Sequence, residues 1–375
     1  MNSNYKNLGQ FIKEKSVKNK VLSVELLLGV SITKKFIPSI ANTIGTDMSK
    51  YKIVKCHQFA YGPVTSRNGE KISVALLSED ECLVSTSYTV FEVIDREELD
   101  PEYLMMWFSR SEFDRYARYM SHGTVRELFG WDELCDIELP IPYIEKQREI
   151  VREYNVVNDR ITLNEKIMLK LEETAFNIFS EKFPTHGHDL TDDFTDLDKL
   201  ITFNAKYPIK KNELTSYVEM ANLSANSMSI NKVIKRNFTS GSKFKNDDTL
   251  LARITPCLEN GKTAFINCLK ADEIAYGSTE FIVMRSKGEV SMYWIYCMAK
   301  DENFRSYAIS SMAGTSGRQR VHSDYLKEYR VDTESLKDMS NFHKLVEPMF
   351  KMVEVKHIEN IKLKELKSYL LQRIY

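Results

Sequence analysis

The 375-residue sequence has no stretch approaching the roughly 18 consecutive apolar residues of a membrane span, and its first ten residues, MNSNYKNLGQ, contain no signal-peptide core. We therefore expect neither membrane insertion nor secretion. The six cysteines are scattered and include no Cys-x-x-Cys pair. This pattern argues against a disulfide framework or a cysteine zinc site, and it favours reduced thiols in the cytoplasm.

Net charge is also nearly absent. The chain contains 52 Lys and Arg residues against 53 Asp and Glu residues, a formal charge of −1. A protein that coats nucleic acid without sequence preference is expected to be basic. Any contact with DNA must therefore use local basic clusters, or it must depend on partners that supply positive charge.

No catalytic constellation stands out. Pro256-x-x-x-x-Gly261-Lys262-Thr263 nearly spells a phosphate-binding loop, but proline replaces its first glycine and the segment lies between two predicted strands. A turn at Asn260-Gly261 is the preferred interpretation. His186 and His188 have no third metal ligand in view. These absences favour a binding protein without metal or cofactor over an enzyme.

The most regular feature is a long helical pattern between Ile137 and Phe183. Its apolar positions alternate in steps of three and four, which predicts a coiled coil with a solvated outer face. Asn164 fills the one polar position of this seam, either as a register-setting contact or as a tolerated polar residue. The seam positions are Ile150, Tyr154, Val157, Ile161, Asn164, Met168, Leu171, Ala175 and Ile178.

A second, less regular helical pattern closes the chain. Shifted by about 192 residues, the first seam falls on Phe342, Val346, Met349, Val353, Leu363 and Leu370. Lys356, Asn360 and Lys367 occupy seam positions, and Pro348 predicts an end or a kink near Glu347. Each helix should hold about 35–40 residues and measure roughly 50–60 Å.

The two helices follow two similar globular blocks, residues 1–136 and 184–335. Strands are predicted at 21–24, 52–61, 72–77 and 83–93, then at 248–254, 263–267 and 279–284, and each set precedes a helix and a glycine loop. Phe113-x-x-Tyr116-Ala117 recurs as Phe304-x-x-Tyr307-Ala308, and Gly123-Thr124 recurs as Gly314-Thr315. Phe91 and Leu134 match Phe281 and Leu326. We therefore predict an internal repeat of domain and helix.

This order predicts an α+β protein with two mixed domains, each followed by a long helix. The boundaries are 1–136, 137–183, 184–335 and 336–375. We expect the helices to pack as an antiparallel coiled coil that relates the halves by a pseudo-twofold axis. Two similar heads at a fixed distance suggest a reader of two places on one extended ligand.

Two glycine loops are the best candidates for DNA contact. Thr315, Ser316 and backbone N–H groups suit phosphates, and arginine and glutamine suit base edges. Glycine allows close approach of the backbone. An ordinary solvent loop is the alternative, and recurrence in both halves weighs against it. The candidates are Gly314, Thr315, Ser316, Arg318, Gln319 and Arg320 in the second half, and Gly123, Thr124 and Arg126 in the first.

Short basic clusters elsewhere are further candidates for phosphate contact, although such clusters are more often simply solvated. We retain Arg67, Lys243 and Lys245 as candidate residues. The remaining clusters contain Lys34, Lys35, Asn68, Lys232, Lys235 and Arg236.

Leu139-Pro140-Ile141-Pro142 followed by Glu145-x-Gln147-x-x-Ile150-Val151 resembles the central region of type I restriction-modification specificity (S) subunits. Residues 55–63 and 248–254 resemble strand regions of that family's target recognition domains. The resemblance extends over nearly the whole chain. The second half departs from it, because Tyr329-Arg330-Val331-Asp332 replaces the proline-rich lead-in and the Glu-x-Gln motif is missing.

The resemblance implies that residues 1–136 and 184–335 are target recognition domains, each reading half of a bipartite, asymmetric double-stranded DNA site. The helices would act as a ruler for the spacer. The subunit would be non-catalytic and would assemble with two modification subunits that use S-adenosylmethionine to methylate adenine. Restriction subunits using ATP and Mg²⁺ would join in complexes that also cleave DNA.

Three alternatives remain at this stage. The chain could serve a type II enzyme that combines cleavage with methylation. It could be a coiled-coil adaptor whose heads bind proteins, which predicts no salt-dependent, sequence-selective DNA binding. It could also be an enzyme with a nucleotide site at Gly261-Lys262-Thr263.

Overall fold

The computed structural model describes residues 5–39, 45–66, 68–122, 127–183, 193–315 and 317–374. The chain divides into two compact units. One comprises Met1–Arg160 with Leu363–Tyr375, and the other comprises Ile161–Lys362. Among the described residues, no helix is both long enough and apolar enough to cross a membrane.

The first unit is built around short strands followed by short helices. A 3-10 turn at Leu8–Gln10 follows its first strand, and another lies at Met48–Lys50. The strands are β1 (Tyr5–Asn7), β2 (Ile12–Lys15), β3 (Leu28–Val30), β4 (Phe36–Pro38), β5 (Lys52–Lys55), β6 (Phe59–Tyr61), β7 (Val74–Leu76), β8 (Glu81–Val84), β9 (Thr89–Val93) and β10 (Glu138–Pro140), and the helices are α1 (Pro101–Phe108), α2 (Ser111–Tyr119), α3 (Trp131–Cys135) and the start of α4 (Ile144–Lys182).

An antiparallel sheet in the order β2-β9-β6-β7 forms the centre of this unit. Phe59 and Phe91 stack at 4.8 Å on one face of it, and Phe108 of α1 meets both rings edge-on. The chain end contributes Ile374 to the same core, where the residue is 1% exposed. Burying each such side chain contributes about 1.5–3 kcal/mol.

The second unit repeats this arrangement. A 3-10 turn lies at Met220–Asn222. Its strands are β11 (Phe194–Asp196), β12 (Ile201–Phe203), β13 (Leu214–Val218), β14 (Ile234–Asn237), β15 (Ser242–Phe244), β16 (Thr249–Ala252), β17 (Thr263–Phe265), β18 (Ala275–Gly277), β19 (Phe281–Ser286) and β20 (Arg330–Asp332), and its helices are α5 (Leu197–Leu200), α6 (Met292–Lys300), α7 (Glu302–Ser310), α8 (Ser323–Lys327), α9 (Thr333–Leu336) and most of α10 (Met339–Gln372).

The central sheet of the second unit has the order β12-β19-β16-β17. Its strands correspond one by one to β2-β9-β6-β7 of the first unit. The inserted strands also correspond. The second unit carries a four-stranded sheet, β14-β13-β18-β15, with β13 and β18 parallel, and in the first unit a parallel bridge between Leu27 and Leu83 joins the pairs β3-β4 and β5-β8. The predicted repeat therefore extends to the inserted strands.

Each scaffold is closed by a two-stranded pairing just before its long helix. β1 pairs with β10, and β11 pairs with β20. Residues 138–140 and 330–332 are thus equivalent, although the second copy lacks the Leu-Pro-x-Pro sequence. Backbone pairing needs no particular side chains, so the strand persists where the motif does not.

Two short helices follow each central sheet, where the sequence pattern suggested a single helix. Asp301 caps α7 by accepting hydrogen bonds from Asn303 N at 2.9 Å and Phe304 N at 3.1 Å, so its own backbone is extended. In the first unit, Arg110 is extended in the same way between α1 and α2. Pro101 occupies the first turn of α1, a favoured position for proline.

All but one of the predicted strands were right in place, although their lengths were wrong. Residues 52–61 and 83–93 each form two strands, because turns at Cys56–His57 and Ser85–Tyr88 interrupt them. β5 then pairs with β8, and β6 pairs with β9. Residues 21–24 form no strand, since the side chain of Asn19 bonds both the N–H and the carbonyl of Val24.

The long helices α4 and α10 contain 39 and 34 residues and pack on one another, as predicted. In the second unit Lys182 pairs with Asp338, and Asn164 Nδ2 donates to Asn360 Oδ1 at 2.9 Å. In the first unit Lys367 Nζ donates to Asn158 Oδ1 at 2.6 Å. Partner numbers fall along α10 as they rise along α4, so the packing is antiparallel.

The predicted seam is confirmed on both helices, since none of its positions is exposed. The seam pattern did not predict three further buried residues near the ends of α4. Gln147, Val151 and Phe179 are buried against the globular cores. Pro348 does not end α10, so the predicted end near Glu347 was wrong, and a kink there stays a prediction. A proline removes one helical hydrogen bond, and buried Val346 and Phe350 hold the helix against its neighbours on either side.

Candidate nucleic-acid interface

The second-half loop is a tight hairpin between Ala313 and Arg320. These residues exchange backbone hydrogen bonds of 3.1 and 2.9 Å, and Arg318 N donates to Thr315 O at 3.0 Å near the tip. Gly314 has a φ of 132° and Gly317 a φ of 76°, conformations that favour glycine. Thr315 and Arg318 are exposed, and Ser316 lies outside the described residues. The loop therefore presents its polar tip to solvent.

The returning arm of this hairpin is anchored to the segment that follows β16. Thr255 N donates to Gln319 O at 3.1 Å, and Val321 N donates to Arg253 O at 3.0 Å. Gln319 is only half-exposed. The hydrogen bonds of its backbone fix the orientation of the loop relative to the central sheet.

Arg320 has a structural partner that the sequence did not reveal. Its Nε and Nη2 donate to both oxygens of Glu280 at 2.7–3.0 Å, and its Nη1 donates to Arg318 O at 3.2 Å. The Arg320 guanidinium holds the pKa of Glu280 below its usual range. Arg320 therefore braces the loop, and Arg318 is the arginine at its exposed tip.

The first-half loop is anchored in the same way. His122 and Leu128 exchange backbone hydrogen bonds of 3.1 and 2.9 Å, Thr65 N donates to Glu127 O at 3.0 Å, and Phe129 N donates to Pro63 O at 2.8 Å. Arg118 pairs with Glu127 at its base. The candidates Gly123, Thr124, Arg126 and Arg67 lie outside the described residues.

The two loops are thus equivalent in position as well as in sequence. In each, the residue at the end of the hairpin bridges both the start of the hairpin and the segment after a central strand: Leu128 bridges His122 and Val64, and Arg320 bridges Ala313 and Ile254. Two loops with equivalent anchors, on two copies of one scaffold, can perform the same task twice.

Lys243 and Lys245 are not free surface cations. Lys243 Nζ donates to Tyr207 O at 2.8 Å and lies 4.9 Å from the centre of the Phe238 ring. Lys245 Nζ lies 5.7 Å from the centre of the Tyr207 ring. Lys243 lines a cleft of about 510 Å³ together with Lys206, Tyr207, Arg253 and Thr279, none of which the sequence had marked.

Other predicted basic clusters divide between structural and exposed positions. Lys34 is 10% exposed and donates to Asp114 Oδ1 at 2.6 Å and to Ile72 O at 2.7 Å, so it braces the first domain. Burial lowers its pKa. Lys235 pairs with Glu273, and the Arg236 guanidinium stacks on Tyr217 at 5.0 Å.

The phosphate-binding-loop hypothesis does not fit the geometry. Lys262 Nζ donates to Met220 O at 3.2 Å, and Thr263 opens strand β17, which pairs antiparallel with β16. A phosphate-binding lysine precedes a helix instead. The segment is a connection between two strands, with Gly261 in its turn at a φ of 68°. His186 and His188 lie outside the described residues.

Comparison with known proteins gives a consistent family. The profile described as Type I restriction modification DNA specificity domain matches residues 10–173. Two curated relatives from Escherichia coli are the Type I restriction enzyme EcoEI specificity subunit, 24% identical over 273 residues, and the Type I restriction enzyme EcoAI specificity subunit, 25% identical over 246 residues. The alignments cover 67% and 60% of this chain but 45% and 40% of the relatives, so the chain spans less than half of either.

One solved structure resembles the chain over nearly its full length. It is the crystal structure of the type I restriction-modification system S subunit from M. genitalium, with a TM-score of 0.59 and 13% identity over 99% of this chain and 95% of that one. At this identity the similarity concerns the fold. It agrees with two mixed domains followed by long, mutually packed helices.

Proposed function

We propose that this chain is the DNA-reading subunit of a type I restriction-modification complex, because residues 10–173 match the DNA specificity domain of such systems and the curated relatives are specificity subunits. Each domain would read one half of a bipartite, asymmetric site on double-stranded DNA. The paired helices α4 and α10 would fix the unread spacer between the halves. The chain itself would perform no catalytic step, and it would act in the cytoplasm.

The observation that carries this proposal is the repeated loop on a repeated scaffold whose side chains differ between the halves. Equivalent anchors hold the two loops, and the inserted strands of the two domains carry different sequences around them. Two identical domains would favour a symmetric site. Two domains of the same topology and different sequence suit an asymmetric one.

The net charge of −1 supports a complex in which partner subunits share the contacts with DNA phosphates. Phosphate contacts provide most of the affinity of DNA-binding proteins, and this chain is not basic enough to provide them alone. We propose that two modification subunits supply the remaining contacts and methylate adenine with S-adenosylmethionine. Restriction subunits, using ATP and Mg²⁺, would join in complexes that cleave.

The test is coexpression with the modification subunit encoded beside this chain, followed by mapping of methylated adenines across a genome. We expect a split motif whose two halves are unlike and whose gap has constant length. A stable complex that adds no methylation, or that methylates a continuous motif, would contradict the proposal. A matched control lacks this chain and should leave the genome unmodified.

A further inference from the structure

The cleft beside the second-half loop is uniformly cationic. It has a volume of about 510 Å³ and lies between residues 204–207, residues 241–243 and the side chains of Arg253 and Thr279. Its three charged lining residues, Lys206, Lys243 and Arg253, are all basic. In a chain with nearly equal numbers of acids and bases, a cleft of this size without a lining carboxylate suits an anion.

Arg253 has a buried N–H group that no protein atom in the described part of the chain accepts. Its Nε is buried and makes no hydrogen bond. The nearest carboxylate, Glu280, is 3.9 Å away and already accepts three hydrogen bonds from Arg320. A buried guanidinium N–H without a partner costs free energy. An oxygen-rich anion in the cleft would accept a hydrogen bond from it and offset that cost.

Two neutral polar groups of the cleft already have partners within the protein. Asn204 Oδ1 accepts from Val283 N at 3.0 Å, and Ser242 Oγ donates to Phe281 O at 2.7 Å. Lys243 Nζ uses one bond on Tyr207 O and has further N–H groups to offer. Base edges are read mainly by directional donors and acceptors, whereas this lining offers mainly charge.

We propose that this cleft binds a backbone phosphate of the DNA half-site read by the second domain, with Lys206, Lys243 and Arg253 as its ligands. The inference rests on the proposed function and adds a site to it. Gly241 at the rim is fixed by the fold, because it has a φ of 146° and a Cβ there would lie 2.1 Å from Gly277 O of strand β18.

Hydrogen bonds connect the cleft to the base of the loop. Arg253 O accepts from Val321 N at the base of the loop, and Glu280 holds Arg320 while its backbone oxygen accepts from Arg253 N at 3.0 Å. A phosphate bound in the cleft would therefore set the register at which Arg318, at the loop tip, meets the bases. Phosphate contacts position a protein on DNA, and base contacts specify the sequence.

The experiment uses the complete complex with its modification subunits and measures DNA affinity at several salt concentrations. The variants are Lys206→Ala, Lys206→Glu and Arg253→Met, and Lys270→Ala is the control because Lys270 is exposed in the same unit and does not line the cleft. Each variant is tested on the target duplex and on one with a scrambled second half-site. Lys206 is exposed, so its variants should fold.

We expect each neutral variant to weaken binding to both duplexes, by roughly five- to tenfold at low salt. The slope of log Kd against log salt should fall by about one for each lost contact, and Lys206→Glu should weaken binding further. Lys270→Ala should match the wild type.

Two results would overturn the phosphate site while leaving the proposed function intact. One is wild-type affinity and salt slope in the Lys206 variants, provided that the wild-type complex binds its target selectively. The other is a loss confined to the duplex with the intact half-site, which would make the cleft a reader of bases. A wild-type complex without selective binding would refute both the cleft and the proposed function.

Discussion

At the scale of single residues, the second-half loop separates two arginines that look alike in sequence. Arg318 is exposed at the hairpin tip, whereas Arg320 is fastened to Glu280 by three hydrogen bonds. A guanidinium bound to both oxygens of a carboxylate has few donors left for a base. The two residues should therefore have different roles.

We predict that Arg318→Ala weakens binding to the target by about 1–3 kcal/mol, the value of a lost base contact, and relaxes selectivity at one half-site only. Its thermal unfolding temperature should be that of the wild type. Binding to targets altered in one half-site at a time measures the effect. Equal losses on random DNA would show that Arg318 meets only phosphates.

Arg320→Ala should act through the fold of the loop. Without Arg320, Glu280 loses its hydrogen-bond donors and the hairpin loses its brace, so we expect a lower unfolding temperature together with weaker recognition of the same half-site. Glu280→Gln, which removes the charge and keeps the shape, should reproduce part of both effects. A stable Arg320→Ala protein with altered selectivity would instead make Arg320 a direct reader.

At the scale of elements, the antiparallel helices carry a buried polar pair in an otherwise apolar seam. Asn164 is 0% exposed and Asn360 is 4% exposed. Asn360 Nδ2 also reaches Ile161 O at 3.4 Å, but Asn164 Oδ1 has no hydrogen bond. An incompletely satisfied pair is a poor source of stability, and a buried asparagine can fix the register of a coiled coil.

We predict that Asn164→Leu lowers the free energy of unfolding by about 1–3 kcal/mol, because it leaves the Asn360 amide buried without its partner. The double variant Asn164→Leu/Asn360→Leu should recover much of this loss. Urea unfolding of the two single variants and the double variant completes the cycle. Met168→Leu, a volume-conserving change on the same seam, is the control, and strictly additive single effects would contradict the coupling.

At the scale of the whole molecule, the proposed ruler makes DNA spacing depend on helix length. A heptad adds about 10 Å to a helix, and base pairs are about 3.4 Å apart. We predict that one heptad inserted at matching levels of α4 and α10 lengthens the gap in the methylated motif by about three base pairs. An unchanged gap would dismiss the ruler, and exchanging a heptad without changing length should leave the gap as it was.

Much of this architecture could be predicted from the sequence because the chain contains an internal repeat. Phe113 and Ala117 recur as Phe304 and Ala308 since both pairs are buried in equivalent cores. The heptad seam was visible because its period is local. No repeated motif marked the inserted strands in the sequence, and these strands pair with distant segments, as β13 does with β18, so their topology was not predictable.

The same distinction applies to the site. Recurrence located the loops, but partners that lie far apart in sequence stayed hidden: Glu280 lies 40 positions from Arg320, and Tyr207 lies 36 positions from Lys243. Lys206 and Arg253 escaped notice because neither belongs to a basic cluster in the sequence. The central sheet brings them together by pairing β12 and β16 with β19.

The pairings β1-β10 and β11-β20 make each domain a cassette. The chain enters and leaves a domain along two adjacent strands, and the outgoing strand leads towards the long helix. Segments with neighbouring ends can be exchanged with little disturbance to what surrounds them. A recombination event joining two such chains between these strands would transplant one domain whole while the helices remained unaltered, and under the proposed function a single crossover pair would change the methylation pattern.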